Sequence, residues 1–547
     1  MHVITLPEVF NVASYTVDGP VTAGLGTKTA IEYRDEKVTY KELQERTNRA
    51  GNALRRLGLR LEQRVMLALV DSPDFLCCFF GAIKIGAVAV PVNPLLRAAD
   101  YEYMLNDTRA RIAIVDESAL PEIQKLSRKQ LRYLEEIVVV GNNRTQFFNL
   151  SELMEGVSPD LNAEATSKDD AAFWLYSSGS AGPPKGCVHL HHDMVVCSET
   201  YAKGILHLNE QDRCYSVARL FFAYGLGNAG YFPLHCGATT ILSPDRPTPS
   251  HIFADIERYQ PTLFFSVPTN YAALLAHQPE NRKEFDLSSI RYAISAGESL
   301  PAPLFARFKE RFGVEILDGW GSTETLQMAL SNAPGDIRPG SSGKIIPGYE
   351  AKIVNDDGIP VPQGEIGHLL VRADSTCIGY WNKHEKTKAT FEGAWFRTGD
   401  KYHQDEDEFY WYAGRSDDLF KVNGRWLSPA EVESALIAHP AVREAGVVAH
   451  IDAAGLLKPA AYVVLQENFL PSDPLRRELQ EWVRDKLGNY KKPYWIEYLP
   501  ELPKTATGKL QRFKLRELQK PIVPESSGDE PQESLVPKAH RNNTEQP

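Results

Sequence analysis

The ten residues Ser177-Ser178-Gly179-Ser180-Ala181-Gly182-Pro183-Pro184-Lys185-Gly186 gather three glycines, three serines and one lysine into one loop. Exposed backbone N–H groups, short hydroxyls and an ammonium are the donors that phosphate oxygens need. Apolar runs on both sides, Phe173–Tyr176 and Cys187–Leu190, and two prolines inside argue against a flexible Gly/Ser linker. Nor is this a Walker A loop: Pro184 stands where the second glycine belongs, and Gly186 where Ser or Thr belongs. The strand–loop–strand setting supplies no helix dipole, so Ser177, Ser178, Gly179, Ser180, Gly182 and Lys185 must bind the phosphates themselves.

The loop resembles the signature of the acyl-adenylate-forming superfamily: acyl-CoA synthetases, peptide-synthetase adenylation domains and luciferases. Further segments match that family in order, over about residues 35 to 516. Ala296-Gly297-Glu298-Ser299-Leu300-Pro301 is similar to its adenine-contacting loop, and Asp318-Gly319-Trp320-Gly321-Ser322-Thr323-Glu324 to its nucleotide and magnesium motif. Arg397-Thr398-Gly399-Asp400 resembles the ribose-binding turn. Gly414-Arg415-Ser416-Asp417-Asp418, running through Lys421 and Gly424, resembles the hinge motif, and Pro503-Lys504-Thr505-Ala506-Thr507-Gly508-Lys509 the catalytic-lysine motif.

The resemblance implies that ATP activates a carboxylate and that coenzyme A then takes the acyl group. Pushing two anions together requires charge neutralisation and in-line alignment. Glu324, next to Thr323, is the implied Mg²⁺ ligand, a hard oxygen for a hard cation. Asp400 would accept both ribose hydroxyls, with Arg415 reinforcing that end. Lys509 would bridge carboxylate and α-phosphate as pyrophosphate leaves. The small domain would then turn about Asp417 and present the Lys421–Trp426 loop, including Gly424, to coenzyme A.

Phe221-Phe222-Ala223-Tyr224-Gly225-Leu226-Gly227-Asn228 resembles the aromatic-acid branch, particularly benzoate-CoA and hydroxybenzoate-CoA ligases. A ring needs a flat apolar slot with few polar groups. Phe222, Ala223, Tyr224 and Gly225 would line it, with Trp320 and Gly321 opposite and Gln327 and Met328 on the same wall. Many benzoate ligases carry a histidine near position 327, so the Gln327 amide points to a ring substituent: 2-aminobenzoate (anthranilate) or a hydroxybenzoate. Ala181, where Thr is usual, removes one hydroxyl donor from the phosphate loop.

Strands alternating with helices must position these groups. Thr39-Tyr40-Lys41-Glu42 is a capping box before Leu43, Thr47, Ala50, Leu54 and Leu57 at helical spacing. Strands follow at 65–70, 87–92 and 112–115, with a buried helix at 74–85. The pattern returns with strands at 239–242, 263–267, 292–295 and 315–317, so two stacked α/β halves are expected. From Gly340 to about Asp400, short strands and frequent Gly and Pro predict a small β subdomain. A compact α+β unit then carries helices at 429–438 and 475–487 and strands at 446–449 and 460–464. The expected division is 1–415 for the adenylating domain, 418–520 for a mobile C-terminal domain, and 521–547, rich in Pro, Glu and Ser, for a disordered tail.

Composition narrows the function classes. Sixty basic against seventy-one acidic residues leave a net charge of −11, which argues against a nucleic-acid binder. Seven scattered cysteines without C-x-x-C spacing predict reduced thiols in a cytoplasmic protein, neither a disulfide framework nor a zinc site. The most apolar stretch, 75–92, is interrupted by Gly81, Lys84, Gly86 and Pro91, so no membrane span is expected. His189, His191 and His192 suit packing and hydrogen bonding rather than a metal, and Asp405-Glu406-Asp407-Glu408 a solvated acidic turn. The sequence therefore predicts an AMP-forming aryl-CoA ligase using ATP, Mg²⁺ and coenzyme A, with no prosthetic group. Loading a carrier protein's phosphopantetheine is the alternative, and the reading admits a homodimer. A non-catalytic scaffold is disfavoured because Lys185, Glu324, Asp400, Arg415 and Lys509 occur together.

Overall fold

The computed structural model describes residues 4–141, 146–177, 183–278, 285–416, 418–422, 425–452, 456–504 and 510–518. Ser178, Gly179, Ser180, Gly182, Asp417, Gly424, Lys509, the Trp426 side chain and the 521–547 segment lie outside that description.

Two open sheets form the body of the chain. The first has seven strands in the order Phe148–Asn149, Glu136–Val140, Ile112–Asp116, Arg64–Ala68, Val88–Pro91, Ala171–Ser177, Lys185–Leu190. All neighbours are parallel except the last pair, the hairpin that flanks the phosphate loop. The second has nine strands, with a parallel centre of Ile316–Gly321, Tyr292–Ser295, Leu263–Ser266, Arg213–Ser216, Thr239–Leu242 and Thr29–Tyr33.

Both faces of each sheet are covered, and alternate residues show it. Val65 and Leu67 join the core shared by the two sheets, while Met66 and Ala68 pack outward against Tyr101, Met104 and Leu105 of the helix Ala98–Thr108. On the second sheet Phe265, Ile294 and Leu317 point inward, and Phe264, Ala293 and Ile316 pack on outer helices. Strands buried on both faces are apolar throughout, which is why composition alone locates them.

The helix Tyr40–Arg56 starts at the expected capping box: Glu42 N–H donates to Thr39 Oγ1 at 3.2 Å, and Thr39 N–H donates to Glu42 Oε2 at 2.8 Å. Leu43, Thr47, Ala50 and Leu54 are buried on one face, and Leu57 caps the end. The helix Pro73–Lys84 is capped by Ser72. The β subdomain is a five-stranded sheet that extends beyond the boundary expected near Asp400. Trp395–Gln404 turns back into Tyr410–Arg415, and the pairing places Asp400 opposite Arg415. The C-terminal unit packs Pro429–Ile437 and Asp473–Leu487 on a three-stranded sheet of Val442–Ile451, Leu457–Leu465 and Trp495–Tyr498. No helix among the described residues is long and apolar enough to cross a membrane.

Candidate active site

In parallel sheets, ligands bind beyond the carboxyl ends of the strands. Ser266, Ser295 and Asp318 are register partners at those ends in the second sheet. The segments that follow, 297–304 and 319–324, line a cleft of about 1380 Å³ together with Ser177, Lys185, Asp400 and Arg415. Residues 298–300 approach the strand below because Leu300 N–H donates to Asp318 Oδ2 at 3.2 Å. Burial raises the Asp318 carboxyl to about 8, against the lowering effect of that N–H, so Asp318 is protonated at neutral pH. Gly321 is required here: a Cβ would lie 2.5 Å from the Gln327 carbonyl oxygen of the adjoining strand.

Two of the carboxylates that line the cleft, Asp400 and Glu324, are already oriented. Asp400 accepts a hydrogen bond from Trp320 Nε1 at 2.8 Å and pairs with Arg415 Nη1 at 3.0 Å. This ties Trp320 to the Asp400 end of the cleft, beside the residues expected to bind nucleotide. Glu324, only 8% exposed, accepts from Ser177 Oγ at 3.2 Å and from Tyr380 Oη at 2.8 Å. The sequence reading missed Tyr380; its ring also carries the Lys185 ammonium 4.3 Å from the centroid. Burial, then the nearby Glu324 charge, pushes the Tyr380 phenol well above its ordinary pKa, so it acts as a donor. The Thr323 carbonyl bonds His189 Nε2 at 2.8 Å, and Asp193 bonds Nδ1 of the same ring at 2.7 Å. His191 Nδ1 accepts from Val12 N–H at 3.1 Å. The histidines serve packing and hydrogen bonding, and no group of three or more potential metal-ligating side chains occurs among the described residues.

The C-terminal unit closes one side. Lys504, Leu510, Arg512 and Glu433 line the cleft, and Leu510 N–H donates to Glu298 Oε1 at 3.0 Å. Arg512 donates to both Glu433 oxygens at 2.9 and 2.7 Å and lies 3.7 Å from Asp418, which also pairs with Arg516. Of this ionic cluster only Asp418, in the hinge-like motif, was named from sequence.

Of the residues expected to form the ring pocket, Trp320 and Gly321 line the cleft, and Phe222, Ala223, Tyr224, Gly225, Gln327 and Met328 do not. Tyr224 Oη donates to the Ser266 and Ile294 carbonyls at 3.3 and 3.2 Å. Gly225 is fixed by crowding, since a Cβ would stand 2.1 Å from the Arg219 carbonyl. Phe221 packs against the core, and Phe222 is half-buried beside it with ring centroids 4.5 Å apart. Met328 is buried in the core shared by the sheets. Gln327 is hydrogen-bonded within the protein. Its Nε2 donates to the Tyr224 carbonyl at 3.2 Å, and its Oε1 accepts from Met328 N–H at 3.2 Å. At 3% exposure an amide must be paired inside the protein, and these bonds tie Gln327 to the Tyr224 segment. The acidic turn likewise is not wholly solvated: Arg338 pairs with Asp407 at 2.8 Å, and Asp405 accepts from Trp411 Nε1 at 2.8 Å.

Two α/β sheets with a polar cleft at their strand ends, closed by a small α+β lobe, define a carboxylate-lined nucleotide-binding enzyme. A family model described as AMP-binding enzyme matches residues 22–381, and its C-terminal domain matches residues 431–509. The chain belongs to the AMP-binding enzymes, the acyl-adenylate-forming family. It is 47% identical to the benzoate–CoA ligase of Thauera aromatica over 94% of this chain and 97% of that protein. It is 36% identical to an anthranilate–CoA ligase of Pseudomonas aeruginosa, over 90% and 93%. Among solved structures, an anthranilate CoA ligase in complex with anthranoyl-AMP superposes with a TM-score of 0.90 at 43% identity, covering 94% of this chain and 98% of that one.

Proposed function

We propose that the chain is an AMP-forming aryl-CoA ligase, acting on benzoate or a substituted benzoate such as anthranilate or a hydroxybenzoate. A carboxylate oxygen attacks the α-phosphorus of ATP and pyrophosphate leaves; the thiol of coenzyme A then attacks the acyl carbon and AMP leaves. The observation that carries this reading is the convergence of Ser177, Lys185, Glu324 and the Trp320–Asp400–Arg415 group on one cleft.

The chain's own groups divide the work. Lys185, with Ser177, Ser178, Gly179, Ser180 and Gly182, cradles phosphate oxygens; Gly297, Glu298 and Ser299 border the adenine, and Asp400 with Arg415 holds the ribose. Lys509 brings positive charge to the carboxylate and α-phosphate; the bond from Leu510, the next residue, to Glu298 supports that place. Asp417 is the pivot, and the Lys421–Trp426 loop serves coenzyme A after the lobe turns. The donor set fits Mg²⁺ held mainly by nucleotide phosphates and water, with Glu324 and Thr323 as the protein's share. Mg²⁺ bound there would neutralise the phosphate oxygens. Phe222, Ala223, Tyr224, Gly225 and Gly321 shape the ring slot, and Gln327 braces it.

The test is ATP consumption with a panel of benzoates, with coenzyme A, without it, and with a phosphopantetheinyl carrier protein instead. Turnover with coenzyme A and an aryl acid is expected. Turnover only with the carrier, or with none of the acids, contradicts the proposal.

A further inference from the structure

The strap 377–381 is tied to two parts of the cleft at once. Cys377 N–H donates to the Glu324 carbonyl at 2.8 Å, Ile378 N–H to the Val188 carbonyl at 3.1 Å, and Trp381 N–H to the Gly186 carbonyl at 2.9 Å. It is therefore fixed to the Glu324 loop on one side and to the Lys185–Leu190 strand on the other. Tyr380, at its centre, packs with Cys187, Cys377 and Phe391, and its N–H donates to Thr387 Oγ1 at 3.1 Å.

That anchorage aims two functional parts of one side chain. The hydroxyl reaches Glu324 Oε1 at 2.8 Å, and the ring face sits under the Lys185 ammonium at 4.3 Å. Ser177 Oγ falls on the same carboxylate oxygen at 3.2 Å. Two hydroxyl donors on Oε1 fix the carboxylate's rotation and leave Oε2 for a cation. A rigid strap that serves both an anionic and a cationic group keeps them at a set spacing before nucleotide arrives.

We infer that Tyr380 is a positioning residue that clamps the Glu324 carboxylate for the nucleotide-bound cation and seats Lys185 for the phosphates. The inference rests on the reading of Glu324 as the cation's ligand. It goes further by assigning the metal's contribution to a tyrosine outside the six sequence motifs. The hydroxyl governs the cation and the ring governs the lysine, so the two roles separate in different variants.

The experiment is calorimetric titration of an ATP analogue with a methylene bridge between the α- and β-phosphorus, in Mg²⁺ and in EDTA, with thermal melts to check folding. The gain in affinity on adding Mg²⁺ is the readout. Tyr380→Phe should cut that gain about tenfold and leave affinity in EDTA unchanged, as expected for losing a hydrogen bond to a charged group. Tyr380→Leu should in addition weaken binding in EDTA by about threefold through loss of the cation–π contact. In a Glu324→Gln background, Tyr380→Phe should cause no further loss of the gain. Ser177→Ala should lose part of the gain, and it serves should the tyrosine variants not fold. The inference is overturned if Tyr380→Phe keeps the full gain, lowers both affinities equally, or adds in full to Glu324→Gln. If Glu324→Gln itself keeps the gain, the metal reading of Glu324 has failed instead.

Discussion

The two walls of the cleft hold their charges differently. On the wall built by the sheets and the β subdomain, Asp400 and Glu324 are held by neighbours within that same wall. Asp400 sits between Trp320 and Arg415, and Glu324 between Ser177 and Tyr380. On the C-terminal wall, Arg512, Glu433, Asp418 and Arg516 pair among themselves, and Leu510 N–H meets Glu298 across the gap. A preorganised wall needs no rearrangement as charge develops. A lobe that neutralises its own ions can turn without leaving a buried charge unpaired. The contrast matches the proposal of one site doing two reactions: a fixed cradle, and a lobe that delivers first one group and then another.

The largest expected effect tests that division directly. Lys509→Ala should lower aryl-AMP formation by about 10²–10³-fold. It should still convert supplied aryl-AMP to the thioester; equal loss of both half-reactions would erase the difference between the walls. Arg512→Ala leaves the buried Glu433 without its cation while Asp418 keeps Arg516, and should cost the C-terminal lobe about 3 kcal/mol in denaturant unfolding. A loss confined to a few tenths would show that the lobe does not depend on its ion cluster.

The fixed wall carries the next two predictions. Asp318 is raised from 3.8 to about 8, so folding favours its protonated form. Its contribution is most favourable below pH 4 and is lost as pH rises toward 8. Asp318→Asn removes that loss, so relative to the wild type the variant should gain on the order of 4 kcal/mol between pH 5 and pH 8 in urea melts. A difference independent of pH contradicts a buried, protonated Asp318. Gln327→Ala should lower stability by about 1 kcal/mol and raise KM for benzoate and anthranilate together. A change in their ratio would restore the amide as a substituent contact.

Much of the fold could be read from the sequence because the features are local. The Thr39–Glu42 box lies within one turn, and doubly covered strands such as Ile112–Asp116 are short apolar runs. The cleft's ordered motifs were legible for the same reason. Tyr380 was not: it lies 56 residues from Glu324, with no periodicity joining the two. Arg512 and Glu433, 79 apart, were hidden likewise. The Gln327 bond to the Tyr224 carbonyl was hidden too, because sequence does not say which carbonyl a buried amide will meet. The β subdomain outran its compositional boundary because the Tyr410–Arg415 strand, which places Arg415 opposite Asp400, lies beyond the Gly- and Pro-rich stretch.

The central claim is that the cleft joins an aryl carboxylate to the α-phosphate of ATP before any thiol takes part. Exchange of labelled pyrophosphate into ATP, with purified protein and no coenzyme A, measures that step. Exchange should appear with benzoate or a substituted benzoate and vanish when the acid is left out. Exchange absent with every aryl acid, or seen only after coenzyme A is added, would contradict it.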